Sequence, residues 1–155
     1  HTVKHKADWL CRYDQLDGLA PHELPDSEDP SEFVRQQDLD AFWSAFEKRT
    51  GRRGVATGLD AKQTAMVEAR AVYTECKIEE VDISDETAVV HLTRTVHKLA
   101  NPHARENDLG GVDSESKRLQ LAKKWYAKAE KSETTEHTVE FVNGEKGWRA
   151  KLPPE

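Results

Sequence analysis

The sequence predicts an α+β domain in which N-terminal helices pack on a curved antiparallel sheet. Three observations predict it. Apolar residues recur at helical spacing as far as about residue 75. The period switches to two at about residue 76. The alternating stretches come in pairs joined by short polar turns, which favours antiparallel hairpins over a doubly wound parallel sheet.

The elements follow in order. Residues 2–17 carry a loose helical stripe, Val3, Ala7, Leu10 and Tyr13, ending near Gly18. The stretch APHELPDSEDP (20–30) is rich in prolines and acids and reads as a solvated connector. Asp29-Pro30-Ser31-Glu32 has the form of a helix start, with Asp29 as cap, Pro30 in the first turn and Glu32 at the capping-box position. The helix that follows places Leu39, Phe42, Trp43 and Phe46 on one face and stops at Gly51. GRRGVATG (51–58) is a glycine-rich loop without the spacing or Lys-Ser/Thr ending of a phosphate-binding P-loop. Asp60 and Gln63 form a second capping box, opening a helix with Ala65, Ala69, Val72 and Tyr73 on its inner face.

In CKIEEVDI (76–83), Cys76 and Ile78 share one parity, Val81 and Ile83 the other. A bulge near Glu79-Glu80 brings both pairs onto one face. Ser84-Asp85-Glu86 turns the chain into TAVVHLTRTVHKL (87–99), a long β-branched strand. Residues 101–116 contain Pro102 and Gly110-Gly111 and read as a mobile connection. ESKRLQLAKKWYAKAEK (115–131) reads as a basic helix with Leu119, Ala122 and Trp125 or Tyr126 turned inward. Strands at 134–142 and 147–152 follow, with Asn143-Gly144 as the expected turn. On the last strand Trp148, Ala150 and Leu152 share a face, which predicts a largely buried Trp148.

Composition narrows the function classes. The 155 residues are 34% charged with a formal charge of -6, which argues against a general nucleic-acid binder. No apolar run is long enough for a membrane span. Cys11 and Cys76 are too far apart for a CxxC centre; they either bridge, in an oxidising compartment, or remain two buried thiols. His91 and His97 share one strand face with Thr93 and Thr95, and His137 lies on another strand, but no closed four-ligand set is readable, so no metal and no cofactor are expected. There is no G-x-S-x-G elbow. Trp125-Tyr126 within the basic run is read as part of an amphipathic lid helix rather than a nucleic-acid platform.

From about Ser31 to Leu152 the chain resembles the NTF2-like superfamily, cone-shaped domains of helices on a strongly curved sheet. The likeness lies in the helix before the sheet, the strand pair CKIEEVDISDETAVVHLTRTV and the ending TVEFVNGEKGWRAKL. It is closest to small bacterial, lipoprotein-type members of unknown function. The resemblance divides the chain into an N-terminal segment and connector, 1–30, and an NTF2-like domain, 31–155. It implies a non-catalytic module whose cone binds a small amphipathic or anionic ligand, or a protein segment, with a homodimer through the sheet as a further partner. The alternative is a small enzyme resembling ketosteroid isomerase or a polyketide cyclase, which needs a carboxylate at an inward position. The inward positions readable here (Phe42, Trp43, Phe46, Ala69, Val72, Tyr73, Val90 and Leu92) contain none. The chain opens at His1, which together with the likeness suggests a mature extracytoplasmic protein, periplasmic in a bacterium.

The sharpest candidate is Arg94. It lies in register with Ala88, Val90, Leu92 and Val96, on the face assigned to the helices. A guanidinium cannot shed its charge, so there it must meet a carboxylate, a set of carbonyls or a ligand anion. Tyr73 and Trp43 are the expected apolar wall of a ligand site around it, and no catalytic residue is assigned.

Overall fold

The computed structural model describes residues 2–20, 24, 28–51 and 59–152. The glycine-rich loop, apart from Gly51, and most of the acidic connector lie outside the described residues.

Helix α1 runs Val3–Arg12, with Thr2 capping it by accepting from the His5 amide at 3.1 Å. It ends earlier than its apolar stripe suggests. Asp14 adopts φ 58°, and the fully buried Gln15 side chain holds the turn, donating to the Tyr13 carbonyl and accepting from the Ala20 amide. After a 3-10 turn at Pro30–Glu32 capped by Asp29, helix α2 spans Gln36–Thr50 and closes on Gly51 at φ 69°. Helix α3, Ala61–Tyr73, opens on the expected box: Asp60 and Gln63 each accept from the other's amide. Arg12 reaches across to its far end, donating to the Ala71 and Thr74 carbonyls that the helix leaves unpaired.

The sheet is four-stranded and antiparallel, in the order β1 (Glu75–Ser84), β2 (Thr87–Lys98), β3 (Lys131–Gly144), β4 (Gly147–Lys151), so both expected hairpins join one sheet. The β1–β2 register shifts between Ile78 and Glu80, as the parity of the sequence requires. Two local expectations are corrected. The last turn is Glu145-Lys146, two residues beyond Asn143-Gly144, because Asn143 pairs with Trp148 and Gly144 with Gly147, whose φ of 91° suits glycine. The stretch expected to be a mobile connection holds helix α4, Pro102–Leu109, with Pro102 in its first turn. It leads to helix α5, Glu115–Ala127, capped by Ser114.

Packing falls into two clusters. In the first, Val3, Ala7, Trp9, Leu10 and Cys11 of α1 meet Ala88, Val90, Leu92, Val139, Phe141 and Ala150 of the sheet. Helix α1 and the sheet therefore share one core. Trp9, absent from the sequence-derived stripe, stacks on Phe33 with ring centroids 3.8 Å apart. Helix α1 covers β1, β2 and β4, the place the sequence assigns to the helices of Trp43 and Tyr73. Helix α2 instead meets the sheet at its β4 edge. There the chain just before it exchanges backbone hydrogen bonds with Ala150, Asp38 accepts from the Leu152 amide, and Leu39 is buried. In the second cluster Ala65, Met66 and Ala69 of α3 pack with Leu109, Ala122 and Tyr126, while Val72 is 54% exposed rather than inward.

Trp148 is also corrected. It packs against the first cluster but is only partly buried, since it pairs with exposed Asn143 at the hairpin end of the sheet, while Ala150 takes the central position. Trp148→Ala is accordingly expected to cost about 2 kcal/mol in a urea melt, below the range for a fully buried aromatic.

The Cys11–Cys76 pair is bridged, with Cα atoms 6.2 Å apart, tying the end of α1 to β1.

Candidate functional site: a charged cavity on the helix side of the sheet

Along β2 the helix-facing positions read Ala88, Val90, Leu92, then Arg94, Val96 and Lys98; their partners on β3 are Phe141, Val139, His137, Thr135, Glu133 and Lys131. The face is apolar until Leu92; beyond it every position named but Val96 is polar or charged. At that change a cavity of about 250 Å³ opens, walled by Arg94, Lys98, His137, Thr135 and Glu133 from the sheet, by Asp14 and Asp17 from the turn after α1, and by Arg70 from α3.

Most of its charges are already matched. Arg94 is 8% exposed; its Nε donates to the Cys11 carbonyl at 2.7 Å, and its Nη1 lies 3.4 Å from Asp14. Cys76 is the β1 residue opposite Arg94, so this guanidinium and the disulfide fasten α1 at the same point. Lys98 pairs with Glu133, and that hydrogen bond, helped by the Lys98 charge, holds the Glu133 carboxyl below its ordinary range. The His137 Nε2 is hydrogen-bonded to the Thr135 hydroxyl at 2.7 Å, and its Nδ1 stands 3.3 Å from Asp17.

Arg70 differs. Its Nε and Nη2 are buried and have no hydrogen-bond partner among the described residues. Those two atoms are the edge with which Arg35, elsewhere in this protein, grips both oxygens of Asp38 at 2.9 and 3.2 Å. The Arg70 charge acts on its neighbour Tyr126, partly offsetting the burial that pushes that phenol up. Two orphaned buried donors are costly, each about 1–3 kcal/mol.

The predicted site residues separate. Arg94 lines the cavity. Tyr73 packs beside the second cluster, and Trp43 sits on α2 in edge contact with Phe42 and Phe46 at 5.1 and 5.7 Å; neither lines this cavity. Sequence reasoning did not single out Arg70, Lys98, Asp14 or Asp17. His137 was weighed as a metal ligand, yet its parity with Val139 and Phe141 already placed it on the helix side.

The histidines do not converge: His91 and His97 face away from the helices, His137 towards them. His91 instead gathers with Glu80 and Asp82, their ligand atoms within 4.8 Å of one another, because the bulge turns both acids outward. His91 also hydrogen-bonds Thr138 at 3.0 Å. This offers three donors on an open face, one fewer than a closed zinc site uses.

Arg94→Met is expected to destabilise by about 1–3 kcal/mol in urea, because it strands the Cys11 carbonyl and Asp14. An unchanged midpoint would show that Arg94 is not structural. No helix among the described residues is long and apolar enough to cross a membrane. Comparisons with protein-family models, with curated proteins and with solved structures return no match to this chain.

Proposed function

We propose that this chain is a non-catalytic binding module of the NTF2-like type, and that the cavity between α3 and the sheet takes a small anion. The observation that carries this reading is Arg70: a cavity-lining guanidinium with two buried donors that no group among the described residues accepts from. An anion in the cavity, met by a small turn of the guanidinium, gives those donors an acceptor. Arg94 and Lys98 add positive potential, but each already has a carboxylate within reach. A compact carboxylate or phosphate suits the Nε/Nη2 edge, which binds two oxygens side by side. The disulfide supports an extracytoplasmic setting, where such bonds persist.

A thermal-shift screen of inorganic phosphate, sulfate and acetate, at constant ionic strength, tests the reading. At least one anion should stabilise the parent in a saturable way, reaching about 2.7 kcal/mol at a hundredfold excess over Kd. Arg70→Met should abolish that response. Without ligand, Arg70→Met should be as stable as the parent or more so, because it removes orphaned donors and keeps the apolar stem. Equal responses from parent and variant, or none from the parent, would overturn the assignment.

A further inference from the structure

A second cavity, of about 280 Å³, lies where β2 leaves the sheet and β3 enters it. Its size is near the lower end for small-molecule pockets, about 300–1,000 Å³. Its walls come from four places: Lys98 to Ala100 at the end of β2, Arg105 of α4, Trp125 of α5, and residues 128–131 leading into β3. Leu99, Ala100, Trp125 and Ala129 supply its apolar lining, and both Leu99 and Trp125 rest on the second core cluster, which holds them in place. Around that surface stand Arg105, Lys128 and Lys131, with Lys98 already paired to Glu133, against one lining acid, Glu130. The Arg105 guanidinium carbon sits 5.1 Å from the Trp125 ring centroid, so one cation is already fixed against the indole.

This local sign is opposite to that of the whole chain, whose formal charge is -6. A positive mouth in an acidic protein draws anions to one spot and repels cations from it no less selectively. The apolar wall is of no use to a bare inorganic ion, which would lose hydration there without gaining donors. A neutral apolar molecule would leave the cations unused. We infer that this cavity binds an organic anion with a flat apolar body, an aryl carboxylate in type: the ring lies against Trp125 and Leu99 while the carboxylate meets Lys128, Lys131 and Arg105. This site goes beyond the Arg70 cavity and does not depend on it, although Lys98 borders both.

The test is calorimetric titration with 2-naphthoate, its neutral counterpart 2-naphthalenemethanol, and inorganic phosphate. The parent should bind naphthoate saturably at one site and the alcohol about tenfold or more weakly. Lys128 and Lys131 are exposed, so Lys128→Glu with Lys131→Glu should leave the fold intact. That double variant should weaken naphthoate about tenfold or more and leave the alcohol unchanged. Lys48→Glu with Lys146→Glu, both exposed and outside the cavity, reverses the same number of charges and should change nothing. Trp125→Leu should weaken both organic probes, with its melt recorded to confirm folding. Arg70→Met should alter phosphate binding only, which separates failure of this inference from failure of the other. Absence of saturable naphthoate binding, equal affinity for acid and alcohol, or indifference to the double charge reversal would each overturn the inference.

Discussion

Opening the Cys11–Cys76 bridge is expected to lower the unfolding free energy by about 4 kcal/mol. The bridged residues are 65 apart in sequence, and in the chain-entropy picture a loop of that length restricts the unfolded chain by about this amount. The native side of the balance points the same way. The bridge and the Arg94 hydrogen bond both hold the end of α1, whose Val3, Ala7, Leu10 and Cys11 form one wall of the core. The check is a urea melt of Cys11→Ala/Cys76→Ala against the parent. With a slope of about 2 kcal/mol per molar, the midpoint should fall by about 2 M. An unmoved midpoint would mean that the linkage contributes nothing to stability.

Phe141→Ala should be about as damaging, at roughly 3–5 kcal/mol. Phe141 is 1% exposed, lies opposite Ala88 on β2 and Ala150 on β4, and faces the helix α1 side of the sheet. Both strand neighbours are alanines, so no larger cross-strand partner is in place to fill the space. Ile83→Ala is the matched control. Ile83 is 60% exposed at the tip of β1, and its truncation should stay within about 0.5 kcal/mol. Equal losses from the two variants would contradict the core assignment.

What the sequence made legible was local. The Asp60–Gln63 box, the stop at Gly51 and the bulge before Glu80 each follow from a few neighbouring residues, and each is present. The parity of β2 likewise placed Arg94 on the helix side without reference to any other element. The errors arose where distant pairing decides. Pro102 and Gly110 were read as breakers, whereas they sit at the first turn and the C-terminal cap of α4, the positions where a helix tolerates them. Asn143-Gly144 is a strong turn signal, but the β3–β4 register moves the turn onward. Trp9 finds its partner in Phe33, across the acidic connector, where no periodicity reaches. The same limit applies to the site. Arg70 appears in sequence as one of the charged residues of α3, two positions after Glu68, and only the docking of α3 beside β2 brings it to the cavity of Arg94.

Under the proposed function, Arg70 is kept for a ligand rather than for the fold. Calorimetric titration of inorganic phosphate into the parent and into Arg70→Met, beside urea melts of both, tests it most directly. The parent should bind at one site and the variant about tenfold or more weakly, as expected for removing charge-assisted hydrogen bonds worth about 1.5–3 kcal/mol, with no loss of stability. A variant that binds phosphate as the parent does, or one that binds nothing because it has lost its fold, would contradict it.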